Sequence, residues 1–292
     1  MTFQDGGSFE GGRVRTRRGG RGVAIGGGLG GLIVLIGALF FNVDLSPIAD
    51  GLGGDTGGEQ TEEYVAECSA EQANAARDCR LSATARALDT YWSDALAPLG
   101  VAYTQPGVVS FEQATDTACG SATSATGPFY CPPDQTVYVD LGFFDDLRTR
   151  FGASGGPLAE EYVIAHEFGH HIEQLTGLLT AADRSGTGPT SDSVRIELTA
   201  DCFAGMWTGH AATTVDPATG VPFLAPITAA ELADALSAAS AVGDDRIQES
   251  ATGTVDPESW THGSSEQRQR WFSAGYDGAS VQECNALEAA TL

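Results

Sequence analysis

Apolar and polar positions divide the chain into segments of different period. Leu81, Ala85, Leu88, Trp92 and Leu96 recur at helical spacing, which predicts helix across 62–97. If Cys68 and Cys79 pair, that stretch must bend. On one continuous helix they would lie roughly 16 Å apart, whereas a disulfide holds Cα atoms within about 7 Å. The segment that follows is punctuated by Gly and Pro, and "TVYVDL" (136–141) alternates with β-branched residues; this reads as a small, loop-rich sheet. "PLAEEYVIAHEFGHHIEQLTG" (157–177) reads as a helix opened by Pro157, buried along Val163, Ile164, Phe168, Ile172 and Leu175, and closed by Gly177. Further helices are expected over about 192–209, from the capping pair Thr228/Glu231 to Gly243, and from Ser264/Gln267 to about Ala274. The fold class is α+β, a short sheet packed on several helices.

The N-terminal region has a different pattern. Val23–Phe41 is 19 residues without a charge, spanning about 28 Å as a helix, close to a bilayer core of roughly 30 Å. The flank before it is rich in Arg and the flank after it carries only acids. The positive-inside rule then predicts a cytoplasmic N-terminus, 1–21, a transmembrane helix, 22–43, and the bulk of the chain outside the cell membrane. The long basic flank and the lack of a small-x-small site favour a retained anchor over a cleaved signal peptide. Residues 44–60 have linker composition, and a folded domain is expected over 61–292. G-x-x-x-G spacings within the apolar run are too easily met by chance in so glycine-rich a segment to indicate helix pairing.

Charge and cysteine content narrow the function. The 292-residue chain carries a net charge of −24, with 15 basic residues, all Arg. Such a surface argues against nucleic acid as a partner, because phosphate binding needs clustered cations. Six cysteines without a C-x-x-C pair argue against a thiolate zinc site. Outside a reducing compartment they read as three disulfides, and chain proximity suggests Cys68–Cys79, Cys119–Cys131 and Cys202–Cys284.

The chemistry-bearing stretch is "HEFGH", 166–170. His166 and His170, four apart on a helix, share a face and can hold one ion, while Glu167 is turned about 100° and lies beside it, where a base for a water belongs. A catalytic zinc needs three protein ligands and an open position. Glu197, in "SVRIELTADCFAGMW", can return on a second helix as the third ligand. Asp201, one turn further, can accept a hydrogen bond from the far nitrogen of a ligand histidine. Apolar neighbours make these acids costly unless paired. The metzincin alternative fails, because Glu173 and Thr176 stand where its Gly and third His belong. His171 is rotated off the ligand face. His262, in a turn before a helix, is the best candidate to stabilise negative charge on a carbonyl oxygen, with Tyr138 and Tyr276 behind it. "QTVYVDL", if it is an exposed edge strand, can align an extended peptide.

The blocks "HEFGHHIEQLTG", "IELTADCFAGMW", "ALSAASAVGDDRIQ" and "THGSSEQRQRWFSAGY" resemble the bacterial neutral zinc metallopeptidase family. "FYCPPDQTVYVDLGFFDDL" resembles the family's region ahead of the zinc helix, and the likeness runs from about Tyr64 to the end. The resemblance implies a zincin-like fold, a membrane anchor and Zn2+. It puts His166, His170 and Glu197 on the metal positions and Glu167 on the catalytic acid. The expected function is a membrane-anchored, extracytoplasmic peptidase acting on protein or peptide. A zinc amidohydrolase of the cell wall and a non-catalytic zinc-stabilised binding module are the competing readings. An intact Glu167 weighs against the last of these, since a structural zinc site closes its fourth position.

Overall fold

A computed structural model describes residues 2–18 and 61–292. The strands are β1 (Ser8–Phe9), β2 (Arg15–Arg18), β3 (Thr61–Tyr64), β4 (Cys68–Ser69), β5 (Gly107–Phe111), β6 (Ala114–Thr117), β7 (Gly120–Thr123), β8 (Phe129–Cys131) and β9 (Thr136–Asp140). The helices are α1 (Ala70–Ala75), α2 (Arg77–Leu96), α3 (Phe143–Thr149), α4 (Pro157–Thr176), α5 (Leu178–Ala181), α6 (Asp192–His210), α7 (Ala229–Ala241), α8 (Asp244–Thr252) and α9 (Ser265–Tyr276). The architecture is α+β. A mixed five-stranded sheet in the order β3-β2-β5-β9-β8 lies beside the helices. Trp92, Phe168, Phe203 and Trp207 are fully buried at the centre of the helical layer.

The local signals act as their chemistry requires. Pro157 occupies the first turn of α4, where its missing N–H costs nothing, and Gly177 ends the helix at φ 83°. Thr228/Glu231 and Ser264/Gln267 form complete capping boxes on α7 and α9. The helix expected over 62–97 is corrected at its start. Residues 61–69 supply β3 and β4, and the extended Ala76 separates α1 from α2. That break lets Cys68 and Cys79 bond at a Cα separation of 5.7 Å. Cys119–Cys131 and Cys202–Cys284 are the other two disulfides.

The expected transmembrane helix is also corrected. The predicted span 22–43 and linker 44–60 lie outside the described residues. Among the described residues, no helix is long and apolar enough to cross a membrane. The basic segment ahead of the span is part of the domain. Its strand β2 pairs with β3 antiparallel, with Arg15 opposite Tyr64 and Arg18 opposite Thr61, and with β5 in parallel.

Arg13 and Arg17, two of the arginines that suggested a cytoplasmic flank, are engaged inside the fold. Arg17 Nε donates to Glu62 at 2.7 Å, and its guanidinium lies 5.9 Å from the Tyr138 ring centroid. Arg13 is ion-paired with Asp89 and lies 6.0 Å from the ring of Phe168 on α4. Phe3, Phe9 and Val14 are core residues, and Thr2 donates its hydroxyl to the buried Glu161 of α4. The N-terminal residues thus brace the back of the helix that carries "HEFGH".

Candidate metal centre

Helices α4 and α6 approach so closely that no side chain fits where they meet. A Cβ on Gly169 would lie 2.9 Å from both Cα and O of Ala200, tighter than van der Waals contact allows. The glycine of "HEFGH" therefore lets the helices touch, and the approach carries Glu197 of α6 to the face of α4 that presents His166 and His170. His166 Nε2 is 3.2 Å from Glu197 Oε2, and His170 Nε2 is 3.6 Å from Glu197 Oε1. One ligand atom from each of the three lies within 4.8 Å of the others. Donors about 2 Å from a tetrahedral ion stand about 3.3 Å apart. Two imidazoles and one carboxylate at this spacing therefore fit a zinc ion with a fourth position open. All three residues are buried yet line a cleft.

Behind the ligand atoms, each imidazole is held by a carboxylate. His166 Nδ1 stands 2.9 Å from Asp201 Oδ1, the spacing at which the ring N–H donates to the acid and leaves Nε2 as the ligand nitrogen. Asp201 in turn accepts from Arg268, Nε at 2.8 Å and Nη2 at 3.0 Å, and from the Tyr162 hydroxyl. His170 Nδ1 stands 2.8 Å from Glu173 Oε2. The network separates the titrations. Burial drives the Asp201 carboxyl upward, but Arg268 and His166 outweigh it and hold it below the usual range. Burial also opposes charge on His166, yet Asp201 and Glu197 push that imidazole up to about 9. His170 is held down to about 3, chiefly by burial. Glu197 stays well below its ordinary value because the His262, His170 and His166 imidazoles outweigh its desolvation.

Glu167 lines the same cleft, and its Oε2 is buried without a hydrogen bond. Burial pushes its carboxyl up to about 7, the range in which an acid can both take and return a proton near neutrality. His262 lines the cleft as well and is held by Asp244, which opens α8. Asp244 Oδ2 accepts backbone N–H bonds from Thr261, His262 and Gly263 at 2.8, 2.7 and 3.1 Å, and Oδ1 is 3.3 Å from His262 Nδ1. Burial works against charge on His262, but Glu197 and Asp244 raise it above its ordinary value.

Other candidates fall elsewhere. His171 is buried behind the site, 2.9 Å from the Tyr130 hydroxyl and 2.6 Å from the Thr104 carbonyl. Tyr138 donates to Asp134 on the sheet, and Tyr276 stacks on Phe272; neither lines the cleft. The strand in "QTVYVDL" is corrected too. It is β9, paired with both β5 and β8, so both its edges are taken. The sheet edge on that side is β8, reached directly after Gly127 and Pro128 of the cleft lining. Sequence reasoning passed over Glu173, Asp244, Tyr162 and Arg268. Glu173 was visible as a carboxylate three residues after His170, on the same helical face. The others reach the centre only through the tertiary fold.

The model of the family described as "Putative neutral zinc metallopeptidase" matches residues 4–287, and the chain belongs to that family. The match begins within residues 2–18, ahead of β1 and β2. The chain is 48% identical over 220 residues to the uncharacterized protein Rv2575 of Mycobacterium tuberculosis, covering 75% of this chain and 74% of that one. It is 38% identical over 277 residues to the uncharacterized protein YpfJ of Escherichia coli K12, covering 92% and 90%. No solved structure matches the chain.

Proposed function

We propose that this protein is a zinc-dependent peptidase in which His166, His170 and Glu197 hold the ion and Glu167 is the general base. The observation that carries the reading is the placement of three ligand atoms within 4.8 Å of one another, beside a buried carboxylate oxygen that makes no hydrogen bond, in one cleft. When bound, zinc supplies Lewis acidity to the scissile carbonyl and to a neighbouring water. Glu167 Oε2 takes the proton of the attacking water and passes it to the leaving nitrogen. His262, clamped by Asp244, donates to the carbonyl oxygen as negative charge builds there. Asp201 and Glu173 fix the orientation of the two imidazoles, Arg268 neutralises Asp201 within the core, and the Tyr162 hydroxyl donates a hydrogen bond to it. The three disulfides favour an oxidising compartment outside the cytoplasm as the place of action.

The test is metal analysis together with assays of the purified protein on casein and on peptidoglycan. Stoichiometric zinc and casein cleavage are expected, with Glu167→Gln retaining zinc and losing turnover by two orders of magnitude or more. Cleavage of peptidoglycan alone transfers the assignment to cell-wall amide bonds. Zinc without hydrolysis of either substrate overturns the catalytic reading.

A further inference from the structure

The cleft has two unlike linings. His166, Glu167, His170, Glu197, Asp244, His262 and Arg268 make its polar lining, while Phe143, Phe151, Val163, Val242 and Ile247 make its apolar lining. Phe143, Val163 and Ile247 come from the helices α3, α4 and α8, and Phe151 and Val242 from the turns that follow α3 and α7. Phe143, Phe151, Val163 and Ile247 each keep only 7–8% of their surface exposed. The two phenylalanine rings lie 6.1 Å apart, and Gly127, at φ 74°, leaves room beside them, since a Cβ there would come within 3.3 Å of the Phe143 ring.

Register on α4 ties the apolar lining to the metal centre. Val163 precedes His166 by three residues and Glu167 by four, so all three share a face of the helix and Val163 sits about 6 Å along the axis from Glu167. One residue of extended peptide advances about 3.3–3.6 Å. A substrate whose scissile carbonyl lies against the ligand atoms therefore puts the side chain of a directly flanking residue on the apolar wall. A charged side chain there would give up its water with no partner on that wall, and an acidic one would also face Glu167 and Glu197.

We infer that this wall selects an apolar side chain, leucine- to phenylalanine-sized, on the residue next to the scissile bond. The inference deepens the peptidase reading and rests on it. Transfer of such a side chain from water into an apolar pocket, compared with a polar or charged one, accounts for a preference of about ten-fold or more in kcat/KM.

Two measurements on the zinc-loaded protein test it. Cleavage sites in a mixed peptide library, read by mass spectrometry, are expected to be enriched in leucine and phenylalanine at one position adjoining the cut. Ile247→Asn, which puts a polar side chain into the apolar lining, is expected to reduce that enrichment several-fold. Binding of small hydroxamates bearing a leucine, phenylalanine, serine or aspartate side chain, measured by calorimetry, is expected to follow the same order and needs no variant to fold. Cleavage without side-chain preference, together with equal hydroxamate affinities, overturns the pocket while leaving the peptidase reading standing. Preferential binding of the apolar hydroxamates without any cleavage upholds the pocket and removes the peptidase reading. A protein that binds no zinc overturns both.

Discussion

The crossing of α4 and α6 and the N-terminal residues 2–18 support the same helix by opposite means. At the crossing, nothing stands between the backbones, and the centre depends on the missing side chain of Gly169. On the far side, α4 is held by filled volume and by paired charge. Phe3 and Phe9 are packed into the core, Arg13 pairs with Asp89 beside the Phe168 ring, and Thr2 is bonded to Glu161. The helix that carries the candidate metal centre can thus be placed with close tolerance on one face because the other face is wedged. The crossing sets where the ligand atoms are, and the N-terminal residues set how firmly they stay there.

Three perturbations bear on this contrast. Gly169→Val has the largest effect expected. The added carbons meet Ala200 Cα and O at under 3 Å, so Glu197 must leave the imidazoles, and zinc affinity measured by competition with a chelator should fall by orders of magnitude. Gly177→Ala, where the left-handed cap has open space around it, should cost about 1 kcal/mol of stability and leave zinc affinity unchanged. Equal loss in both would mean that the crossing has no special role.

Next in size, Phe3→Ala should lower stability by about 3–5 kcal/mol in chemical unfolding, the usual cost of emptying a fully buried aromatic site. A silent Phe3→Ala would show that residues 2–18 do not brace the domain.

The third perturbation is a pH dependence. Burial pushes the Glu161 carboxyl up to about 8 in the folded protein, against an ordinary value near 4.3. The folded state therefore binds the proton more tightly. The stability linked to this group is fully present below about pH 4 and is lost as pH rises through 8. Glu161→Gln should remove that loss, so its melting temperature should gain on the native protein steadily from pH 5 to pH 9. The corresponding difference in unfolding free energy should reach the order of a few kcal/mol by pH 9. Parallel curves would exclude Glu161 as a buried titrating group.

What was legible in the sequence follows the range of the interactions. His166, Glu167 and His170 were readable because helix geometry alone decides their relation, and Pro157, Gly177 and the two capping boxes act within a single turn. Glu197 and Asp201 were readable from the cost of carboxylates among apolar neighbours. Asp244 and Arg268 were not, because their partners lie 18 and 67 positions away and only the folded chain brings them together. Glu173 was within reach, yet it entered only as a misfit to another zinc pattern. The N-terminus misled for a further reason. Arginine next to an apolar run carries the same sequence signal whether it faces a lipid head group or a glutamate. The strand that supplies Glu62 follows only after the apolar run.

The contact between α6 and α9 is closer still. A Cβ on Gly205 would come within 2.0 Å of the Phe272 carbonyl oxygen, and one on Gly275 within 1.9 Å of that of Cys202. Cys202 is also bonded to Cys284 beyond the end of α9. Two helices seated this deeply cannot slide or roll against each other, so Glu197, Asp201 and Arg268 behave as fixtures on one slab. The apolar lining of the cleft stands on other elements, α3 and α8, which carry Phe143 and Ile247.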